Sequence, residues 1–148
     1  MAADAFLLFH GFKEYMADGT IDLDDASAGV FKCALVDSGW TPNLATDDAW
    51  SDISANEIAG SYGYTADGQA LTGVTWTNSS GTMTWDCDNP TWNASGGSIA
   101  ARFAVIYHVA TGKLIAYSLL DNSPADVTAT DGTSFVVQIN ANGVFQST

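Results

Sequence analysis

From Ile21 the hydrophobic period of this chain changes to two, and segments written with that period fold as strands. In Val30-Phe31-Lys32-Cys33-Ala34-Leu35-Val36 both alternating faces are mostly apolar, the pattern of a central strand buried on both sides. Ala70, Thr72, Val74 and Trp76 alternate with Leu71, Gly73 and Thr75. Asn78-Ser79-Ser80-Gly81 is a hairpin signal. The return strand puts Met83, Trp85 and Cys87 on one face and Thr82, Thr84, Asp86 and Asp88 on the other. A turn at Asn89-Pro90 leads through Trp92 to Gly96-Gly97, and Ala101–Tyr107 reads as a strand with Phe103, Val105 and Tyr107 together. Thr111-Gly112 turns into Leu114–Leu120, and Phe135–Ile139 is followed by Asn142-Gly143, a signal that closes a short hairpin onto Val144-Phe145. Turn signals at intervals of about 8–12 residues predict a mainly β fold, an antiparallel β-sandwich or barrel of about six to eight strands with one N-terminal helix.

The helix is predicted over residues 4–17, with Asp4 as N-cap and Gly19 just past its end. Phe6, Phe9, Lys13 and Met16 follow one helical track, and Ala5, Leu8, Phe12 and Tyr15 follow the next. So wide an apolar stripe must cover a sheet or a neighbouring subunit. Residues 37–68 form a long irregular connection rich in Asp, Ser, Gly and Ala, and connections of that length in compact domains are usually functional. Inside it, Thr46–Trp50 reads as a capped helical turn, and Ser54 with Glu57 fits a capping box. With no internal repeat and no linker composition, residues 1–148 read as one β-rich domain, with a helical unit over 1–19.

Charge narrows the function classes. Seventeen Asp and Glu face four Lys and Arg, a formal net charge of −13. The cations Lys13, Lys32, Arg102 and Lys113 are scattered singly, so no basic patch exists to neutralise phosphate, and neither nucleic acid nor an anionic membrane is an expected partner. Eleven of the 17 acidic residues precede residue 61, so the acidity belongs mainly to the helix and the long connection. The run Ala5–Phe9 lacks a basic flank and follows Asp4, so a cleaved leader is not expected, and no stretch reaches the length of a membrane span.

Residues with chemical potential are few and poorly partnered. His10 lies on the polar edge of the helix and His108 ends a strand, neither at a spacing that makes a triad or a zinc site. Cys33 and Cys87 lie in apolar alternations and read as two buried thiols, with a disulfide possible only if their strands adjoin. Three acidic groups stand out: Asp22, Asp24 and Asp25; Asp47, Asp48 and Asp52; and Asp86 with Asp88 and Asn89. The first lacks the glycine and glutamate of an EF-hand loop, so solvated acidic faces are expected, and no metal or cofactor. Asp pairs alone do not define a hydrolase, and no catalytic residue is assigned. Asn78-Ser79-Ser80 and Asn93-Ala94-Ser95 match glycosylation sequons but read as turn chemistry. Tryptophan is abundant, five in 148 residues. Trp85 belongs with the core, whereas Trp40, Trp50 and Trp92, with the helix residues Phe6, Phe9 and Phe12, are candidates for an assembly surface. Stacking of Trp40, Trp50 or Trp92 on glycans, as in carbohydrate-binding β-sandwich modules, is the alternative use.

The segment Trp50–Gly60 continued by Gly63–Gly68, preceded by Cys33–Asp37 and Trp40-Thr41-Pro42 and followed by Ala101–Tyr107, resembles small virion structural proteins of tailed bacteriophages, in particular head decoration (cement) proteins. The resemblance is an order of motifs over roughly residues 10–145. It implies a non-enzymatic protein made in the host cytoplasm and carried on the outer surface of the capsid, with the major capsid protein and copies of itself as partners. A tail or connector location is the alternative within that class. The −13 charge agrees with an outer position, because packaged DNA inside a head would repel it. Local three-fold axes of a capsid favour a homotrimer, with a dimer next.

Overall fold

The computed structural model describes residues 4–123 and 125–148; residues 1–3 of the expected N-terminal unit, and Pro124, lie outside the described residues. The fold is mainly β and sandwich-like, with 12 strands in antiparallel sheets and no closed barrel among the described residues. The largest sheet has five strands in the order β1-β9-β8-β2-β3: β1 (Leu7–Leu8), β2 (Phe31–Val36), β3 (Gln69–Ala70), β8 (Phe103–His108) and β9 (Leu114–Leu119). A three-stranded sheet orders β12 (Phe145–Ser147), β5 (Thr82–Asp86) and β4 (Thr75–Ser79). Two ribbons complete the set: β6 (Thr91–Asn93) with β11 (Ser134–Val136), and β7 (Ile99–Ala101) with β10 (Val127–Ala129).

The central strands obey the apolar-on-both-faces pattern. β2 pairs along its whole length with β8, from Phe31 opposite His108 to Val36 opposite Phe103. On one face Phe31, Cys33, Leu35, Ala104 and Ile106 pack against Trp85, Trp92, Phe135 and Phe145 of the smaller sheets. On the other, Ala34, Val36, Phe103, Val105 and Tyr107 are covered by Phe9 and by Trp40 and Ile53 of the long connection. Trp85 anchors the first layer: it is fully buried, meets Phe31 edge-on at 5.1 Å, and donates its indole N–H to the Leu23 carbonyl at 3.2 Å. Both thiols are buried and unpaired, as the apolar alternation predicts.

Several boundaries differ from the sequence reading. The helix, α1, spans only His10–Ala17. Residues 4–9 instead run as an edge against β9, Asp4 N–H donating to Leu119 O (2.9 Å) and Phe9 N–H to Ile115 O (3.1 Å). A short apolar run satisfies either period, and the open edge of β9 decides it. Asp4 therefore caps nothing; Phe9 is the N-cap residue without a side-chain bond, and Leu44 O accepts from His10 N–H. The helix does stop at Asp18, just before Gly19.

In the connection the helical turn α2 is Trp50–Ile53, one turn later than predicted, and a 3₁₀ turn covers Ser54–Asn56. The predicted 70–76 strand splits, its first part ending in the large sheet and its second beginning β4. Ser80 and Gly81 close the β4–β5 hairpin with φ of +53° and +90°, the two left-handed positions of a tight hairpin turn. Asn142-Gly143 makes a turn but not the expected hairpin, because β11 and β12 pair with different neighbours. Asn93 lies inside β6 and not in a turn.

Replacing Phe12, fully buried between the helix and Phe145, by alanine is expected to lower stability by about 3–5 kcal/mol in urea unfolding. Leu7→Ala, at a site 47% exposed on the edge strand, should stay within about 0.5 kcal/mol. Equal losses would contradict this division of the apolar stripe.

Candidate functional site

Of the six aromatic residues expected at an assembly surface, four fill the chain's own core: Phe9, Phe12, Trp40 and Trp92 are all less than a tenth exposed. Phe6 and Trp50 are half-buried. Phe9 at the helix entrance and Trp40 of the connection cover the second face of the central sheet, whereas Phe12 and Trp92 pack into the core on the first. Trp40 meets Phe103 and Tyr117 edge-on at 5.1 and 5.3 Å, and Trp50 lies parallel on Tyr107 at 4.9 Å. Trp92 packs between Tyr64 and Phe135. Trp40 and Trp92 therefore present no open ring face for a sugar.

The polar residues of the connection hold it down. Asp47 accepts from the Trp40 indole (3.2 Å) and from Asn43 N–H (2.9 Å). Asp52 reaches back to the amides of Asp48 (3.1 Å) and Ala49 (2.9 Å), doing at the start of α2 what a capping glutamate does. The Ser54–Glu57 box does not form; Glu57 instead accepts the Tyr64 hydroxyl at 2.6 Å, and that hydroxyl accepts from Leu35 N–H at 3.0 Å. Tyr107 donates to Asp67 O at 2.8 Å. Gly68 is required here: its φ is +70°, and a Cβ would stand 2.1 Å from the Cys33 carbonyl oxygen.

Asp48 is the junction of three elements. It accepts the Tyr15 hydroxyl of α1 through both oxygens (2.8 and 2.9 Å) and forms an ion pair with Lys113, the residue before β9. The Lys113 ammonium also lies 4.7 Å from the Tyr15 ring centroid. Sequence offers no signal for this cluster, because its members are 33 and 65 residues apart.

The other acidic groups behave alike. Asp22 and Asp25 accept the amides two residues on, Asp86 accepts from Cys87 N–H, and Asp88 accepts the Thr72 hydroxyl. No group of three His, Cys, Asp or Glu among the described residues is placed to hold a metal. His10 is exposed at the first helical position, and His108 shares a 2.8 Å hydrogen bond with Thr111. Burial pushes the Cys87 thiol up to about 12 and Tyr107 to about 12, and raises Cys33 further, so neither thiol is poised as a nucleophile.

One exposed aromatic escaped the sequence reading. Tyr62, half exposed at φ +55°, lies over Gly97, where a Cβ would come within 2.4 Å of its ring. A second open feature is a cleft of about 260 Å³ between β10 and β11, with Val127, Ala129, Ser134, Val136 and Gln138 among its walls. No helix among the described residues is long and apolar enough to cross a membrane. Comparison with protein-family models, with curated proteins and with solved structures returns no match. The fold and side-chain use define a sandwich-like β protein whose polar groups are spent on its own loops.

Acid should loosen this arrangement. The Lys113 and Tyr15 hydrogen bonds lower the Asp48 carboxyl below its ordinary 3.8, and backbone amides lower Asp52 likewise. A carboxyl depressed on folding contributes stability above its unfolded value and loses it as pH falls through the folded one. Thermal melts between pH 6 and 2 should fall below about pH 4, and Asp48→Asn should flatten that limb. A variant curve parallel to wild type would contradict the role of Asp48.

Proposed function

We propose that this chain is a non-enzymatic virion structural protein of a tailed bacteriophage, a decoration protein that binds the outer surface of the head and stabilises it. The motif order described above suggests the class. The observation that carries the reading is the use of the acidic side chains: those a hydrolytic site would need serve as acceptors for the chain's own amides, hydroxyls and one lysine. A block tied in this way suits a part that must keep its shape among many neighbours. Exposed Thr75, Thr77, Asn78 and Ser79 on β4 give it an uncharged polar flank that packs without burying charge. The major capsid protein and further copies of the chain, as trimers or dimers, are the proposed partners.

The acidic loops then face solvent or a screening cation. Mixing the purified protein with undecorated heads should give cosedimentation in a fixed ratio to the major capsid protein. Raising salt from low levels, or adding Mg²⁺, should strengthen it by screening repulsion among copies of charge −13. Absence of cosedimentation would overturn the reading, and indifference to ions would overturn the placement of the acidic face.

A further inference from the structure

The strands β10 and β11 follow one another through the tight turn Thr130–Thr133, in which Thr133 N–H and hydroxyl both donate to Thr130 O (2.9 and 2.7 Å). Two strands joined so closely ordinarily pair with each other. Among the described residues these do not: β10 pairs with β7 and β11 with β6, and the cleft opens between them.

The hydrogen-bond phase shows which backbone groups face it. Val137 N–H donates to Pro90 O and Ala94 N–H to Thr133 O, so 137/90 and 133/94 are bonded pairs of the β11–β6 ladder. Bonded and non-bonded pairs alternate in an antiparallel ladder, so 135/92 is bonded while 134/93 and 136/91 are not. The N–H and C=O of Ser134 and Val136 therefore point away from β6, toward the cleft, and no bond to them occurs among the described residues. The opposite edge of β6 is treated differently. There the Gln69 carboxamide, turned with its nitrogen toward the Thr91 carbonyl, pairs with Thr91 O at 2.8 Å and Thr91 N–H at 3.3 Å. One edge of this ribbon is capped and the other is left open.

We propose that the β10–β11 cleft receives an extended segment of another protein, which adds as a strand along β11 and joins the two ribbons. The unpaired backbone groups call for a β-strand, not a helix or a small solute. The buried Ala129 and Phe135 beneath it accept small or apolar side chains at alternate positions. Charge selects against a second copy, which would bring another −13. The cleft lining carries no charged residue; Asp121 follows the lining residue Leu120 and Asp131 lies in the β10–β11 turn, neither in an ion pair among the described residues, whereas Arg102, which follows β7, is held by Asp126 at 2.8 Å. The segment that fits is thus apolar at alternate positions with Lys or Arg beside it. Its identification with a segment of the head shell rests on the virion reading; the slot itself does not.

Val136→Pro removes an N–H that the β11–β6 ladder does not use, and edge strands tolerate proline at such positions. Val136→Lys keeps the backbone but places a like charge at the slot, and Val136→Thr keeps both shape and backbone. A displayed library of random ten-residue peptides, selected on the wild-type protein, should yield period-two sequences bearing Lys or Arg. Their affinity should fall roughly tenfold or more for V136P and V136K and hold for V136T, with thermal midpoints showing that all three variants fold. Helical-period or acidic binders, or binding indifferent to V136K, would overturn the proposal even if V136P failed to fold. A wild-type dimer that V136K dissolves would make the occupant a second copy and overturn the charge argument. If peptides behave as expected but wild type does not sediment with heads, the virion reading fails and the slot stands. If heads bind wild type and V136K equally, the occupant is not a segment of the head shell and the virion reading stands.

Discussion

The ladder between β2 and β8 is apolar on both of its faces, and everything else in the molecule answers to that. A sheet of this kind cannot be left half solvated, as an antiparallel meander often is; each face needs its own cover. The smaller sheets cover one face through Trp85, Trp92, Phe135 and Phe145. Among the described residues no second sheet covers the other. The long connection does so with Trp40 and Ile53, joined by Phe9 at the helix entrance, and this explains why a segment so poor in regular structure is so well buried at those positions.

Using a loop as a core layer creates a problem of satisfaction, because its backbone must find partners that a strand would find in a ladder. The acidic residues supply many of them. Asp47, Asp48, Asp52 and Glu57 each hold a specific donor, and two of the four cations, Arg102 and Lys113, are ion-paired. Concentration of negative charge in the first 60 residues is thus partly the chemistry of fastening a loop onto a sheet, and partly the outer face that remains in water. Burial raises the Glu57 carboxyl, which lies against Tyr64 and the β2 backbone.

The fold class was legible in the sequence because alternation is a local signal and the strands are short, repeated and bounded by turns. Trp85, both thiols, the Ser80-Gly81 hairpin and the shared face of Phe103, Val105 and Tyr107 follow from it directly. What was not legible is which strand edge a segment meets. Residues 4–9 carry an apolar run that suits a helix as well as a strand, and the open edge of β9 settled it. Burial of Trp40 depended on the second face of the sheet needing cover, and that of Trp92 on the β6–β11 ribbon packing onto the first, neither of which a single segment announces. The Asp48, Tyr15 and Lys113 cluster and the splayed β10–β11 pair are products of tertiary placement alone.

Amide hydrogen exchange of the isolated protein, read residue by residue, bears most directly on this account. Amides of Cys33–Val36 and Ala104–Ile106 should exchange only through global unfolding, with a free energy equal to that from denaturant, because both faces of their ladder are sealed. The Val136 amide, facing the cleft, should exchange within the range of unprotected groups, while Val137, bonded to Pro90, is protected. Local exchange in β2 and β8, or protection of Val136 equal to that of its neighbour, would contradict a sheet sealed on both faces beside an edge left open.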